Sequence, residues 1–436
     1  MKNTFKYILV AIICALLLIP VFFISRLVYE RQQKSSEAVS EVSSKWGRAQ
    51  LIAGPFISAK GYEINNHVNN FNESEFLFPK TLSVNSSLNV VEKKRGIYKI
   101  NLYSSKIVLS GVFDSIDYGQ YINENNQVNV NIFISDLKGL VSEVKAKIGE
   151  ENYEFSSGIK EGELGNNGIH FQVDYSKIKG KNYQIEFTLN GSNSINFAPI
   201  GKNNQIKLKG NWPDPSFGGS FLPTNHNITN QDFSAEWSIL ALNKSFPQSG
   251  KGSFMQFNQM EENINYDVAS SSVSQHCLTR LFNPVTDYVK SRRANQYAFF
   301  LLIIVFIALF LSEYISKSNI HLIQYAIIGF AIVLFYLFLL ALGEHLGFNK
   351  AYFLSMLMVT IPTFFYSKSI LNNFKAALSI GVLTLLLYSL FFIMLLSQDY
   401  SLLIGSILAF ILLLSVMYIT RNFNKRQDTI EINSEG

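Results

Sequence analysis

The placement of apolar residues constrains this chain most: Leu, Ile, Phe and Val dominate residues 5–25 and 297–420, and a long polar middle separates them. A helix needs about 20 mostly apolar residues to cross a hydrocarbon layer ~30 Å thick. Six runs qualify: Phe5–Ser25, Tyr297–Ile315, His321–Gly343, Ala351–Tyr366, Ala376–Leu396 and Ser401–Thr420. Ala351–Tyr366 is the shortest and contains Pro362. The chain therefore reads as an integral membrane protein. Residues 1–27 form an N-terminal anchor, 28–50 a helical stalk, 51–296 a large exported domain, 297–420 a bundle of about five membrane helices and 421–436 a cytoplasmic tail.

Lys2 and Lys6 precede the first apolar run, as in a secretory signal peptide, but no small-x-small cleavage site follows it. An uncleaved anchor is the reading taken, with a signal peptide as the alternative. With the N-terminus inside, the cytoplasmic loops collect Lys317, Lys368, Lys375, Arg421, Lys425 and Arg426, and the short outer loops hold only Lys350. That bias puts both termini in the cytoplasm and residues 28–296 outside. Arg26, Arg31, Arg292 and Arg293 flank the membrane on the outer side, but long translocated domains largely escape the rule.

The net charge of +5 follows from the inner loops, and no basic run interleaved with aromatics suggests nucleic acid. Cys14 lies in the first membrane run and Cys277 in the exported domain, so they cannot pair. A silent Cys277 is the simpler reading, because no His or Asp motif adjoins it.

Within the stalk, Ala38, Val39, Val42 and Trp46 recur at helical spacing, a stripe suited to packing on its own domain or on a partner helix. From Gln50 the period changes to two. Tyr98, Ile100 and Leu102 alternate with polar residues, as do Val128, Val130, Ile132 and Ile134, and Phe233, Ala235, Trp237 and Ile239. "YQIEFTLNGSNSINF" reads as a hairpin, with Ile185, Phe187 and Leu189 before a Gly-containing turn and Ile195 and Phe197 after it. Such alternation predicts one wet and one buried face, hence a mainly antiparallel β domain, either a sandwich or an open barrel.

"GNWPDPSFGGSFLPT", Gly210–Thr224, interrupts this pattern. Pro213, Pro215 and Pro223 remove ladder donors and fix φ, while Gly218 and Gly219 permit a bend. The stretch reads as a stiff elbow between the strand ending near Lys209 and that of Trp237. Trp212, Pro213, Pro215, Phe217 and Phe221 make it either a corner that tucks aromatics into the core or a contact surface.

No nucleophile elbow, phosphate loop, dinucleotide fingerprint or zinc-protease motif occurs. His67, His170, His226, His276, His321 and His345 are scattered singly, so no metal, cofactor or catalytic residue is assigned. Ionisable groups near the membrane are informative because they are costly there. Glu313 ends the second run, Glu344 and His345 close the third, and Asp399 lies between the last two. Interfacial anchoring, helix capping and a proton or ion pathway are the readings open to them.

Several segments carry a family resemblance: "WGRAQLIAGP" (Trp46–Pro55), "RGIYKINLYSSKIVLSGVF" (Arg95–Phe113), "ISDLKGL" (Ile134–Leu140), "NGSNSINFAPIGK" (Asn190–Lys202), "GNWPDPSFGGSFLP" (Gly210–Pro223), "FSAEWSI" (Phe233–Ile239), "LGEHLGF" and "SQDYSLLIGS". In this order, between one helix and five, they resemble the CreD family of bacterial inner-membrane proteins over almost the whole chain. The resemblance implies an inner-membrane location and a link to cell envelope integrity. It also implies a link to a two-component system of the same name, to colicin tolerance and to the β-lactam response, but no established reaction. Asp214 and Asp287 stand where the family often has His, so no role is carried over for those histidines.

The expected function is that of a non-enzymatic envelope protein acting in envelope integrity or stress response through its exported domain. Its expected partners are membrane lipid, envelope components or another inner-membrane protein. The alternatives are a transporter, channel or membrane-sensor subunit built on the C-terminal helices and, last, an exported hydrolase.

Overall fold

The computed structural model describes residues 2–60, 74–114, 127–253, 257, 275–281, 287–316, 319–371, 373–396 and scattered positions from 403 to 417. It divides the chain into two compact units, Met1–Lys34 with Val285–Gly436, and Ser35–Pro284.

The first unit is helical. Helix α1 (Lys2–Trp46) is unbroken, carries Pro20 and crosses the unit boundary at Lys34. The short α2 (Tyr175–Ile178) belongs to the other unit. The remaining helices are α3 (Asp287–Gln296), α4 (Ala298–Ser316), α5 (Leu322–Leu346), α6 (Phe348–Leu371) and α7 (Phe374–Leu396). Among the described residues α1, α5, α6 and α7 are long and apolar enough to cross a membrane, and α3 with α4, bent by 42°, adds a fifth span if the pair is counted as one. This is a membrane protein with an N-terminal apolar helix, a β-rich middle and three C-terminal apolar helices. The run Ser401–Thr420 falls almost entirely outside the described residues, as does the tail 421–436.

Helix α6 is longer than the run Ala351–Tyr366 predicts and continues through Pro362. Its hydroxyl residues interrupt the apolar run, yet Ser355, Thr360, Thr363 and Ser367 all face inward while Leu354, Leu357, Ile361 and Phe365 are exposed. Proline is tolerated in membrane helices whose neighbours compensate the lost bond.

The second unit is a sandwich of two mixed sheets. Its strands begin with β1 (Gln50–Lys60), β2 (Ser74–Leu77), β3 (Thr81–Arg95), β4 (Tyr98–Val112) and β5 (Gln127–Ile134). There follow β6 (Lys145–Ile148), β7 (Glu151–Glu154), β8 (Ser156–Ser157), β9 (Gly168–Asp174), β10 (Asn182–Ser192) and β11 (Ser194–Phe197). The last are β12 (Asn203–Gly210), β13 (Pro215–Gly219), β14 (Asn225–Ile228), β15 (Phe233–Leu240), β16 (Ser249–Lys251) and β17 (Cys277–Leu281). One sheet runs β13-β17-β11-β1-β5-β9-β8, with β2 on β1 and β16 on β2; the other runs β14-β15-β12-β3-β4-β10-β6-β7. Their inner faces share one core, which includes Leu51, Phe56, Val84, Leu109, Val130, Phe187 and Trp237. Fully burying side chains of this size contributes about 1.5–3 kcal/mol each.

Pairing is mainly antiparallel, as expected, with two parallel exceptions among the described strands: β1 runs parallel to β11 and β12 parallel to β3. Two expectations are corrected. The hairpin is absent: Ser192 of β10 pairs with Leu102 in one sheet, and Ser194 of β11 pairs with Arg280 in the other. The chain changes sheets at Asn193, whose φ of 61° lies in the left-handed region that Asn tolerates. Finally, alternation in β5 does not give a wet face. Asn129 and Asn131 are buried, and Asn131 Nδ2 donates to Ser58 Oγ at 2.8 Å while Asn129 Nδ2 donates to Glu161 Oε2 at 3.2 Å.

Candidate functional site

The elbow Gly210–Thr224 is built into both sheets. Pro215–Gly219 is itself a strand, β13, pairing antiparallel with β17, and Asn225–Ile228 pairs with β15 in the opposite sheet. The prolines were expected to prevent regular pairing. Pro215 is compatible with it because it opens an edge strand, where its missing N–H breaks no inner ladder. Gly219, at φ 81°, then turns the chain back.

The elbow aromatics point inward in part. Phe217 lies against Trp237, Phe233 and His226, with ring centroids 5.8, 6.1 and 5.6 Å away. Trp237 is buried and its Nε1 donates to the Phe221 carbonyl at 3.1 Å. Trp212, Phe217 and Phe221 are partly buried against the core, whereas Pro213 is exposed and Leu222 is 69% exposed. Trp212 Nε1 donates to the Asp214 carbonyl at 3.1 Å.

A second constellation escapes local sequence reading. Gln50 is fully buried; its Nε2 donates to the carbonyls of Asp136 and Asn190, each at 3.0 Å, and its Oε1 accepts from Ser135 Oγ at 3.2 Å and Asp136 N at 3.3 Å. Asn196 Nδ2 donates to the Gln50 carbonyl at 3.0 Å, and Tyr103 donates its hydroxyl proton to the Ser194 carbonyl at 2.8 Å. Burial holds the Tyr103 phenol far above its ordinary range, so it remains a donor. Arg48 N donates to Asp136 Oδ2 at 3.0 Å, and Trp46 Nε1 to the Tyr103 carbonyl at 3.3 Å. Gly47, at φ 141°, permits the approach: a Cβ there would lie 2.6 Å from the Asn190 oxygen. The quoted segments around Trp46, Tyr103, Asp136 and Asn190 thus converge on one joint.

Two other groups in this unit bear on reactivity. Burial pushes the Cys277 thiol well up, which keeps it out of thiolate chemistry and agrees with a silent cysteine. Lys244 is drawn down to about 8 by burial; its Nζ donates to the carbonyls of Gly201 at 2.5 Å and Ile200 at 3.3 Å.

In the helical unit the predicted polar residues do not form one site. Glu313, 7% exposed, accepts from Lys6 of α1, from the Tyr325 hydroxyl at 2.7 Å and from Ile320 N at 3.3 Å. Lys6 also donates to Asn319 Oδ1 at 2.8 Å. Glu344 pairs with Arg31 at 3.7 Å and accepts from Tyr288 at 3.2 Å. Lys6 and Arg31 are separated by about 37 Å along α1 at 1.5 Å per residue, so the two carboxylates hold the two flanks of its apolar part. Between them, buried Asn295 donates to the Val21 carbonyl at 3.1 Å and to Ser25 Oγ. His345 is exposed, and Asp399 lies outside the described residues. Lys6, Tyr288, Asn295 and Asn319 were not singled out from the sequence. A lone polar residue inside or beside an apolar run is the available signal, but its partner stands hundreds of positions away.

Among the described residues no three His, Cys, Asp or Glu side chains are grouped to hold a metal ion.

Comparison with known proteins matches this architecture. The family model described as Inner membrane protein CreD covers residues 2–425. The chain is 28% identical over 430 residues to the Inner membrane protein CreD of Escherichia coli (strain K12), spanning 94% of this chain and 90% of that protein. With one apolar helix ahead of a two-sheet middle and apolar helices behind it, the chain belongs to the CreD family of inner membrane proteins.

Proposed function

We propose that this protein is a non-enzymatic component of the cell envelope that contributes to envelope integrity or stress response through contacts made by its β unit. Both termini lie in the cytoplasm, and the β unit lies on the periplasmic side. The Lys and Arg bias of the inner loops supports this orientation. The observation that carries the reading is the joint at Gln50. Polar residues of the segments "WGRAQLIAGP", "ISDLKGL" and "NGSNSINFAPIGK" are engaged with backbone groups of their own fold. Such residues stabilise a platform, and the exposed tip of the elbow, Pro213 and Leu222, is left to meet a partner. Membrane lipid is the partner of the helical unit, and an envelope component or another inner-membrane protein is the partner class of the β unit.

A photocrosslinking residue placed at Leu222 in the full chain, in native membranes, tests this. Enrichment of a discrete protein or glycan over a mock sample is expected. Recovery of lipid alone would contradict the contact reading. One exposed Asp or Glu of the β unit whose amide variant behaves like a deletion would contradict the non-enzymatic reading.

A further inference from the structure

The buried face of α6 carries hydroxyl groups that the fold does not engage. Ser355, Thr360, Thr363 and Ser367 are at most 7% exposed, and none of these hydroxyls has a hydrogen-bond partner among the described residues. Thr384 on α7 shows the usual alternative, returning its hydroxyl to the Ile380 carbonyl at 2.8 Å. In hydrocarbon an unengaged polar group is costly, so a run of them on one helix needs a reason. Positions 360, 363 and 367 lie within about 60° of one another around the helix, with 355 about 80° from 363 on the same buried side, and the run covers about 18 Å of helix, more than half of the ~30 Å hydrocarbon layer. The window that qualifies α6 as a span has a mean hydropathy of only 1.3, against 2.7 for α5 and 2.4 for α7.

A separate observation comes from α7. Tyr388 is 1% exposed and its hydroxyl also has no partner among the described residues, although its carbonyl accepts from Tyr352 of α6 at 2.8 Å, one turn from Ser355. Close packing alone does not require hydroxyls. Ala and Gly serve that purpose equally well, as Ala377 and Gly381 do on α7.

We propose that the inward face of α6, completed by Tyr388 of α7, is a water-accessible polar seam within the helix bundle, suited to small neutral hydroxyl-bearing solutes. The chemistry follows from the groups present. Each hydroxyl both donates and accepts, and the stripe holds no carboxylate or ammonium, so it matches water and neutral hydroxylated molecules rather than ions. The seam is independent of any contact made by the β unit.

Single cysteines in the full chain test it, in a Cys14→Ala/Cys277→Ala background in native membrane vesicles. Ser355→Cys, Thr363→Cys and Ser367→Cys would be exposed to silver ions, a probe of nearly atomic size. The protein would then be unfolded and its remaining thiols counted with a maleimide. Blocking at the three seam positions at least tenfold faster than in Ile361→Cys, which faces outward, is expected. Rates equal to that of Ile361→Cys would overturn the proposal. Thr363→Val, nearly isosteric, asks the same question without a thiol. A wet seam predicts an unchanged or lower unfolding midpoint in lipid nanodiscs, and a raised midpoint would mark a dry, uncompensated hydroxyl and overturn the seam.

Discussion

Gln50 in the β unit and Ser355 in the helical unit are both fully buried polar side chains, yet among the described residues the Gln50 side chain meets four hydrogen-bonding groups and the Ser355 hydroxyl meets none. Beyond the pair the contrast is one of degree. The β unit is not fully engaged either: Asn101, Asn196 and Asn204 each donate from the side-chain amide to a named carbonyl, of Leu281, Gln50 and Gly201 respectively, while their side-chain oxygens and the Ser43 hydroxyl have no partner among the described residues. In the helical unit the engaged groups lie along α1, at Glu313, Asn295 and Glu344, and the buried hydroxyls of α6 have no partner among the described residues. The engaged polar residues of the β unit therefore specify its shape, because an unmet buried donor or acceptor would disfavour any other arrangement. In the helical unit ion pairs hold the flanks of the apolar part of α1, and polar capacity remains inside.

The largest effect is expected from breaking the engaged pair in the helical unit. Glu313→Leu leaves Lys6 and Tyr325 without their carboxylate and should destabilise that unit by about 3–5 kcal/mol. Accumulation of the full-length protein should fall sharply, and Lys6→Leu combined with Glu313→Leu should recover most of it. A single Glu313→Leu variant that accumulates normally would show that the pair does not hold α1.

Smaller effects are expected at the elbow, where burial is partial. Phe217→Ala removes a ring from the Trp237 cluster and should cost about 2 kcal/mol. Trp212→Ala, losing partial packing and one hydrogen bond, should cost about 1–2 kcal/mol. Protein level and envelope phenotype should decline together in both. Normal level with a lost phenotype in Trp212→Ala would turn the elbow aromatics into contact residues.

The smallest effect concerns Lys244. Its folded value of about 8 lies below the ordinary 10.5, so the unfolded chain binds more protons between those pH values. Stability should accordingly rise with pH from about 8 toward 10, the reverse of the effect of a salt-bridged lysine. Tryptophan-detected unfolding midpoints should show a positive slope in that window, and Lys244→Met should flatten it. An equal slope in both proteins would assign the trend to other groups.

Much of this contrast was legible in the residues and part of it was not. Alternation identified strand β15, whose Phe233, Ala235, Trp237 and Ile239 are buried, because a half-buried strand shows its period locally. The same period misread "YQIEFTLNGSNSINF". Both strands alternate whether or not they pair with each other, and only the left-handed Asn193 decides the change of sheet. Pro215 suggested a break where the structure has an edge strand, because proline excludes inner positions and not outer ones. The ion pair of Lys6 and Glu313 joins positions 307 residues apart, which no local pattern reports. Glu313 itself was visible as an acid at the end of an apolar run, and its partner was not.

The segments around Trp46, Asp136 and Asn190 form a structural joint, and Gln50→Leu breaks it at its centre. The substitution puts an apolar side chain of similar size in place of the amide and leaves the carbonyls of Asp136 and Asn190 without their donor, at about 1–3 kcal/mol for each group left unmet. The unfolding midpoint of the β unit, read in the full-length protein, should fall by many degrees, with protein level and envelope phenotype falling in proportion. A Gln50→Leu protein with the parent's midpoint and level but no envelope phenotype would contradict the account, and would make the joint a functional site in its own right.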